Sequence, residues 1–300
     1  MAIPPEPEPA RRDVIHDIGY RKYSGARLGE SYTWRTLYEL GVWHCFGIGR
    51  AARYKVLPMM MLAIMMIPAL IIVGVQVIVD LDRQVLPYSR YAVIMQLVIS
   101  IFVAVQAPAL IARDLRYRVI TLYLARPLRL DTYVYARVAS LATGLLVLTG
   151  LPLLVLYAGS LLAGLPPGSE TRDMLTALAG AAILSVVLAC IAGVVSAWTT
   201  RRGFAIAAII TTLVMSYSVV ATIQGIANEQ GNTEVAGYAG LFTPFTLVDG
   251  IQVALFNTEA STSEGPPGAT GGLVFAAVAV ALVAVCLLVL LRRFRKVAGR

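Results

Sequence analysis

The sequence predicts an all-α integral membrane protein with six transmembrane helices and both termini in the cytoplasm. Three observations carry this. First, 58% of the 300 residues are hydrophobic and only 14% are charged, against about 25% charged in ordinary soluble domains. Second, a helix rising about 1.5 Å per residue needs roughly 20 apolar residues to cross about 30 Å of hydrocarbon. Six stretches meet that need: residues 57–79, 91–112, 138–161, 174–199, 204–227 and 272–291. Third, the basic residues are sorted. Nine precede the first span, six fall in the second connection (Arg113 to Arg137), two in the fourth and five in the tail. Only Arg83, Arg90 and Arg172 lie on the other side. Such a bias fixes the even-numbered connections and both ends in the cytoplasm. The formal charge of +8 therefore reads as a lipid-bilayer signature and not as a nucleic-acid surface.

Residues 1–30 read as a flexible cytoplasmic lead, rich in Pro, Gly and charge. Its first nine residues lack a basic stretch followed by an apolar core, so no cleavable signal is expected. Residues 31–55 read as an interfacial amphipathic helix, with Trp34, Leu37, Tyr38, Cys45 and Ile48 on one face and Trp43 and Phe46 towards the polar side. A soluble helix packed on a partner is the alternative. Residues 56–295 make the six-helix domain and 296–300 the tail. The fifth connection, about 224–271, is too long for a simple turn. Its apolar stretch 238–256 is interrupted by Pro244 and Asp249 and is too short to cross, so external re-entrant or interfacial helices fit, with a solvated loop and soluble-facing helix as the alternative. Residues 259–270 read as linker.

Much chemistry is missing from the sequence. Cys45, Cys190 and Cys286 are far apart, and two histidines, His16 and His44, make no metal-ligand pattern. No span carries an Asp, Glu, Lys, Arg or His in its interior, where proton-driven carriers place the groups whose titration couples to transport. There is no His-Glu-x-x-His, no Gly-x-Ser-x-Gly and no phosphate-binding Gly-x-x-x-x-Gly-Lys-Ser/Thr. The chain is read as non-catalytic, and any energy for active transport has to come from another subunit.

The second connection is the most informative segment. Arg113-Asp114-Leu115-Arg116-Tyr117-Arg118 continues the second span as a charged step, Leu122, Tyr123 and Leu124 follow, Pro127 ends it, and Tyr133 to Arg137 leads into the third span. A solvated inner loop facing lipid headgroups is the plain alternative. In this segment the chain resembles the ABC-2 type permeases, membrane subunits of ATP-binding-cassette exporters. Arg113 and Asp114 stand at the acidic-basic pair, Pro127 at the following proline and Arg137 at the basic residue opening the third span. Arg118-Val119-Ile120 replaces the usual Gly-Thr. The run Thr243-Pro244-Phe245-Thr246-Leu247-Val248-Asp249-Gly250 is similar to a Ser/Thr-Pro…Asp/Gly segment of that family. The resemblance implies that Arg113, Asp114, Arg116, Tyr117, Arg118, Arg126 and Pro127 couple to an ATPase subunit, present in two copies and carrying the ATP and Mg. It further implies a second permease copy, a homodimer before a heterodimer, in a bacterial inner membrane.

A substrate path needs weakly polar faces. Thr211, Met215, Ser218 and Thr222 recur on one face of the fifth span, as Gln96 and Ser100 do on the second. Ordinary helix packing is the alternative for both. Ser185, Ala189, Gly193 and Ala197 form a small-residue stripe that reads as close packing. The leading expectation is an exporter permease, with amphiphiles favoured among drug-like, lipid, peptide and polysaccharide cargoes. An ion-coupled carrier or channel working alone, and a non-transporting scaffold for an ATPase, are the other readings.

Overall fold

Hydrocarbon offers the backbone no water to bond to, so each long apolar run satisfies its N–H and C=O groups internally as a helix. A computed structural model of the chain describes residues 25, 29–79, 84–117, 128–199, 201–261 and 265–298. Among the described residues there is no strand. Six helices are long and apolar enough to cross a membrane. They are α2 (Arg53–Val79), α4 (Gln96–Arg116), α5 (Leu130–Leu162), α6 (Pro167–Trp198), α7 (Arg202–Glu229) and α10 (Gly268–Ala298). Shorter helices are α1 (Glu30–Cys45), α3 (Tyr88–Ile94), α8 (Thr233–Ala239) and α9 (Pro244–Phe256), with a 3-10 turn at Gly240–Phe242.

Several helices extend beyond the apolar runs, and their ends explain why. Asp131 sits in the first turn of α5, Pro167 opens α6, and Arg295 and Lys296 occupy the last turn of α10. Each suits the helix terminus it occupies, by dipole or by fixed φ. The extensions bring Tyr133 and Arg137 onto α5 and Glu170 onto α6, at the ends of the spans and away from their middles. Residues 91–112 do not form one even helix: α3 ends at Ile94 and α4 begins at Gln96. Within α4, Pro108 has no N–H to give and opens a π turn, Pro108–Ala112, closed by the Arg113 N–H on the Pro108 carbonyl.

The centre of the bundle is α4, α5 and α6; α2, α7 and α10 are largely exposed flanks. Without a hydrophobic force between helices in lipid, close approach through small residues does the packing. At Gly159 a Cβ would sit 2.2 Å from Val73 Cγ2, so α2 lies directly on the α5 backbone. Gly193 faces Ile111 and Leu290, and its stripe mates Ser185, Ala189 and Ala197 are all buried.

The region after α7 contains short helices, as its length requires, but Asp249 does not interrupt them. Pro244 opens α9, and Asp249 sits inside it, 3% exposed, accepting from Ser261 N (2.9 Å) and Ser261 Oγ (2.5 Å). Part of the stretch read as linker is thereby tied down. α1 turns Leu37, Gly41 and Cys45 inward onto α5, while Trp43 and Ile48 stay exposed. Phe46, read from the sequence as lying on the polar side, is buried against Phe102. The helical period ends at Cys45, and the left-handed Gly47 (φ +68°) redirects the chain towards α2.

Replacing Gly159 by Leu forces α2 off α5 and lowers stability by about 1–3 kcal/mol, the usual cost of overpacking. Gly74→Ala, where the space is open, leaves it unchanged or slightly raised; thermal unfolding in detergent compares the two.

Candidate functional site: the basic end of the bundle

The π turn at Pro108 holds one residue more than an α turn and so offsets the helix faces on either side of it. Beyond it Asp114 turns inward, with 5% of its surface exposed. Its Oδ2 accepts from Arg137 Nη2 (2.6 Å) and from the Tyr133 hydroxyl (2.6 Å). Tyr133 and Arg137 are four residues apart on α5, so both project from one face. The Arg137 guanidinium lies 5.3 Å from the Tyr133 ring centroid, and Phe294 of α10 packs 5.6 Å from the same ring. One carboxylate thus joins α4 to α5, and an aromatic pair adds α10. A buried pair yields little net stability, but removing one partner leaves an uncompensated charge and costs about 3–5 kcal/mol.

α1 closes over the same end. A Cβ on Gly41 would meet Ser140 Oγ, and Tyr38 and Thr143 hydroxyls lie 2.9 Å apart. His44 is half-buried beside this pair. Burial, then the charges of Arg50, Arg137 and Arg113, push its pKa down to about 4. The imidazole is therefore neutral at physiological pH, and among the described residues its buried Nδ1 has no hydrogen-bond partner.

The expected coupling residues divide. Arg113 and Arg116 are exposed and line a cavity of about 460 Å³ beside α1 and α2, and Tyr117 is 66% exposed. Asp114, expected to meet a partner, is spent on an internal bond instead. Arg118, Leu122, Tyr123, Leu124, Arg126 and Pro127 lie outside the described residues. The expected path residues also separate. Thr211, Met215, Ser218 and Thr222 run along an exposed face of α7, with Ser218 Oγ bonding the Val214 carbonyl (3.0 Å) and Thr222 Oγ1 the Ser218 carbonyl (2.9 Å). The side of α7 turned inward carries Ile209, Leu213 and Val220. Ser100 is buried and Gln96 half-buried, its Oε1 enclosed without a hydrogen bond.

Sequence reasoning missed Tyr133 as a ligand of Asp114; its i, i+4 spacing from Arg137 was the available signal. It also missed the gathering of Arg50, Arg53 and Arg202 at the same cavity, for which no local signal exists. At the opposite end it missed Glu170, 5% exposed, which accepts from Gln84 Nε2 (2.9 Å) and from the Tyr88 hydroxyl (2.5 Å) and ties α3 to α6.

The six helices give this chain the architecture of a multi-pass membrane protein. No family model matches its sequence, and no curated protein matches it.

Two predictions follow from the geometry. Asp114→Leu destabilises by about 3–5 kcal/mol, while adding Arg137→Met recovers most of the loss, because the desolvated charge is gone; thermal melts of wild type, Asp114→Leu, Arg137→Met and the double variant measure this. His44 has its pKa depressed in the folded state, so its contribution to stability is complete above the unfolded value of 6.5 and is lost as pH falls through about 4. Wild-type melting temperature should therefore drop more steeply between pH 6.5 and 4 than that of His44→Gln.

Proposed function

We propose that the chain is the permease subunit of an ATP-binding-cassette transporter, an exporter, working as two copies with two separate ATPase subunits. The observation that carries this reading is the braced step at the basic end. Arg116 and Tyr117 project, exposed, from the last turn of α4, three residues or fewer from a carboxylate locked to α5. A force applied there moves α4 and α5 together, which is what coupling to an outside motor requires.

The basic end faces the cytoplasm in this reading, by the sorting of Lys and Arg, and the membrane is the bacterial inner membrane. ATP and Mg are bound by the partner, whose closure acts on this chain only through contacts that differ between inward- and outward-facing states. The weakly polar face of α7, exposed in the single chain, supplies one wall of a path that a second copy completes. Its Ser218 and Thr222 hydroxyls bond to their own helix, which leaves a surface suited to amphiphilic cargo. The buried carboxylates Asp114 and Glu170 are hydrogen-bonded and lie at the ends of α4 and α6, away from the middle of the spans where an ion-coupled carrier places such groups.

Charge reversal at Arg116 together with Tyr117→Ala weakens co-purification with the ATPase at least ~10-fold, about 1.4 kcal/mol, and abolishes ATP-driven transport while the melting temperature holds. Retained complex and transport would remove the coupling role of this step.

A further inference from the structure

Arg50, Arg53, Arg113, Arg116 and Arg202 come from three distant stretches of chain and line the single cavity of about 460 Å³ at the basic end. No Asp or Glu among the described residues lines it. Among the described residues none of the five makes an ion pair. Tyr54 stands between two of them, its ring centroid 5.8 Å from the Arg50 guanidinium and 5.0 Å from that of Arg53. Burial first, and then the charges of Arg113, Arg137 and Arg202, hold Arg50 below its ordinary pKa. Like charges are thus close enough to repel, and among the described residues no carboxylate pairs with them. Gathering them is unfavourable unless an anion is present for part of the working cycle.

The cavity is also half apolar. Leu57 and Pro58 belong to its wall, and they lie in the second turn of α2, whose Val56, Ile64 and Ile67 are exposed apolar side chains. Arginine charge and lipid-facing hydrocarbon meet there at the depth where a span leaves the bilayer. We propose that this cavity holds the phosphate of an anionic lipid from the adjoining leaflet. Guanidinium forks of Arg50, Arg113 and Arg202 grip the phosphate oxygens, and the acyl chains lie along α2. A bound lipid would cross-link the start of α2, the end of α4 and the start of α7. The proposal rests on the membrane-spanning architecture and is independent of any ATPase.

The test uses the purified full-length chain without a partner. Native mass spectrometry counts phosphatidylglycerol and phosphatidylcholine retained by wild type, by Arg50→Gln/Arg113→Gln/Arg202→Gln, and by the control Arg292→Gln/Arg295→Gln outside the cavity. Wild type and control should favour phosphatidylglycerol by ~10-fold or more, the scale of a lost charge-assisted contact, and the cavity triple should show no preference. In phosphatidylcholine nanodiscs the triple should melt no lower than wild type, because repulsion has been relieved; Arg113→Lys, which keeps the charge but not the fork, should lose part of the preference. Preference retained by the triple overturns the site. Equal thermal protection by inorganic phosphate overturns the lipid as its source.

Discussion

The Asp114 carboxylate, accepting from both Arg137 and Tyr133, is the interaction on which the basic end of this protein depends. Three helices meet around it, and α1 packs over α5 just beyond. A charge taken out of water is expensive, and it persists here because both donors are delivered from consecutive turns of one helix at 2.6 Å. Directing Asp114 inward also determines what remains outward. Arg113, Arg116 and Tyr117 are left on the exposed side of the same short segment, so one side of the step is structural and the other is free to meet a partner.

The remainder of the fold follows from lipid as solvent. Oil gives helices no reason to hide apolar side chains from it, so α2, α7 and α10 can stay largely exposed while α4, α5 and α6 are enclosed. What holds the bundle is close approach at residues such as Gly159 and Gly41, together with a few satisfied polar ties at either end.

The six helices were legible because their signal is composition and length, which needs no knowledge of neighbours. Helix ends were less so: Tyr133 and Glu170 lie on turns added by terminal Asp131 and Pro167, beyond the apolar runs. The inward face of α1 was readable through Leu37 and Cys45, and failed at Phe46 because periodicity lapses where Gly47 bends the chain. On α7 the spacing of Thr211, Met215, Ser218 and Thr222 correctly gave one face, yet a period cannot say which neighbour that face meets. Asp114 was noticed and misdirected for the same reason. Its partners are 19 and 23 residues away, across a connection whose path the sequence does not encode locally. Arg50 and Arg202 are farther apart still, and only the fold brings them to one cavity.

The central claim is that the buried pair makes the ends of α4 and α5 a single rigid piece. Because Cys45, Cys190 and Cys286 are all buried thiols, spin labels can be directed to new cysteines at exposed Tyr117 and Arg129, and pulsed dipolar spectroscopy can then read their separation. A narrow distribution in the otherwise native protein that broadens on Asp114→Ala is the predicted result. An equally narrow distribution in both, or an equally broad one, would contradict the account.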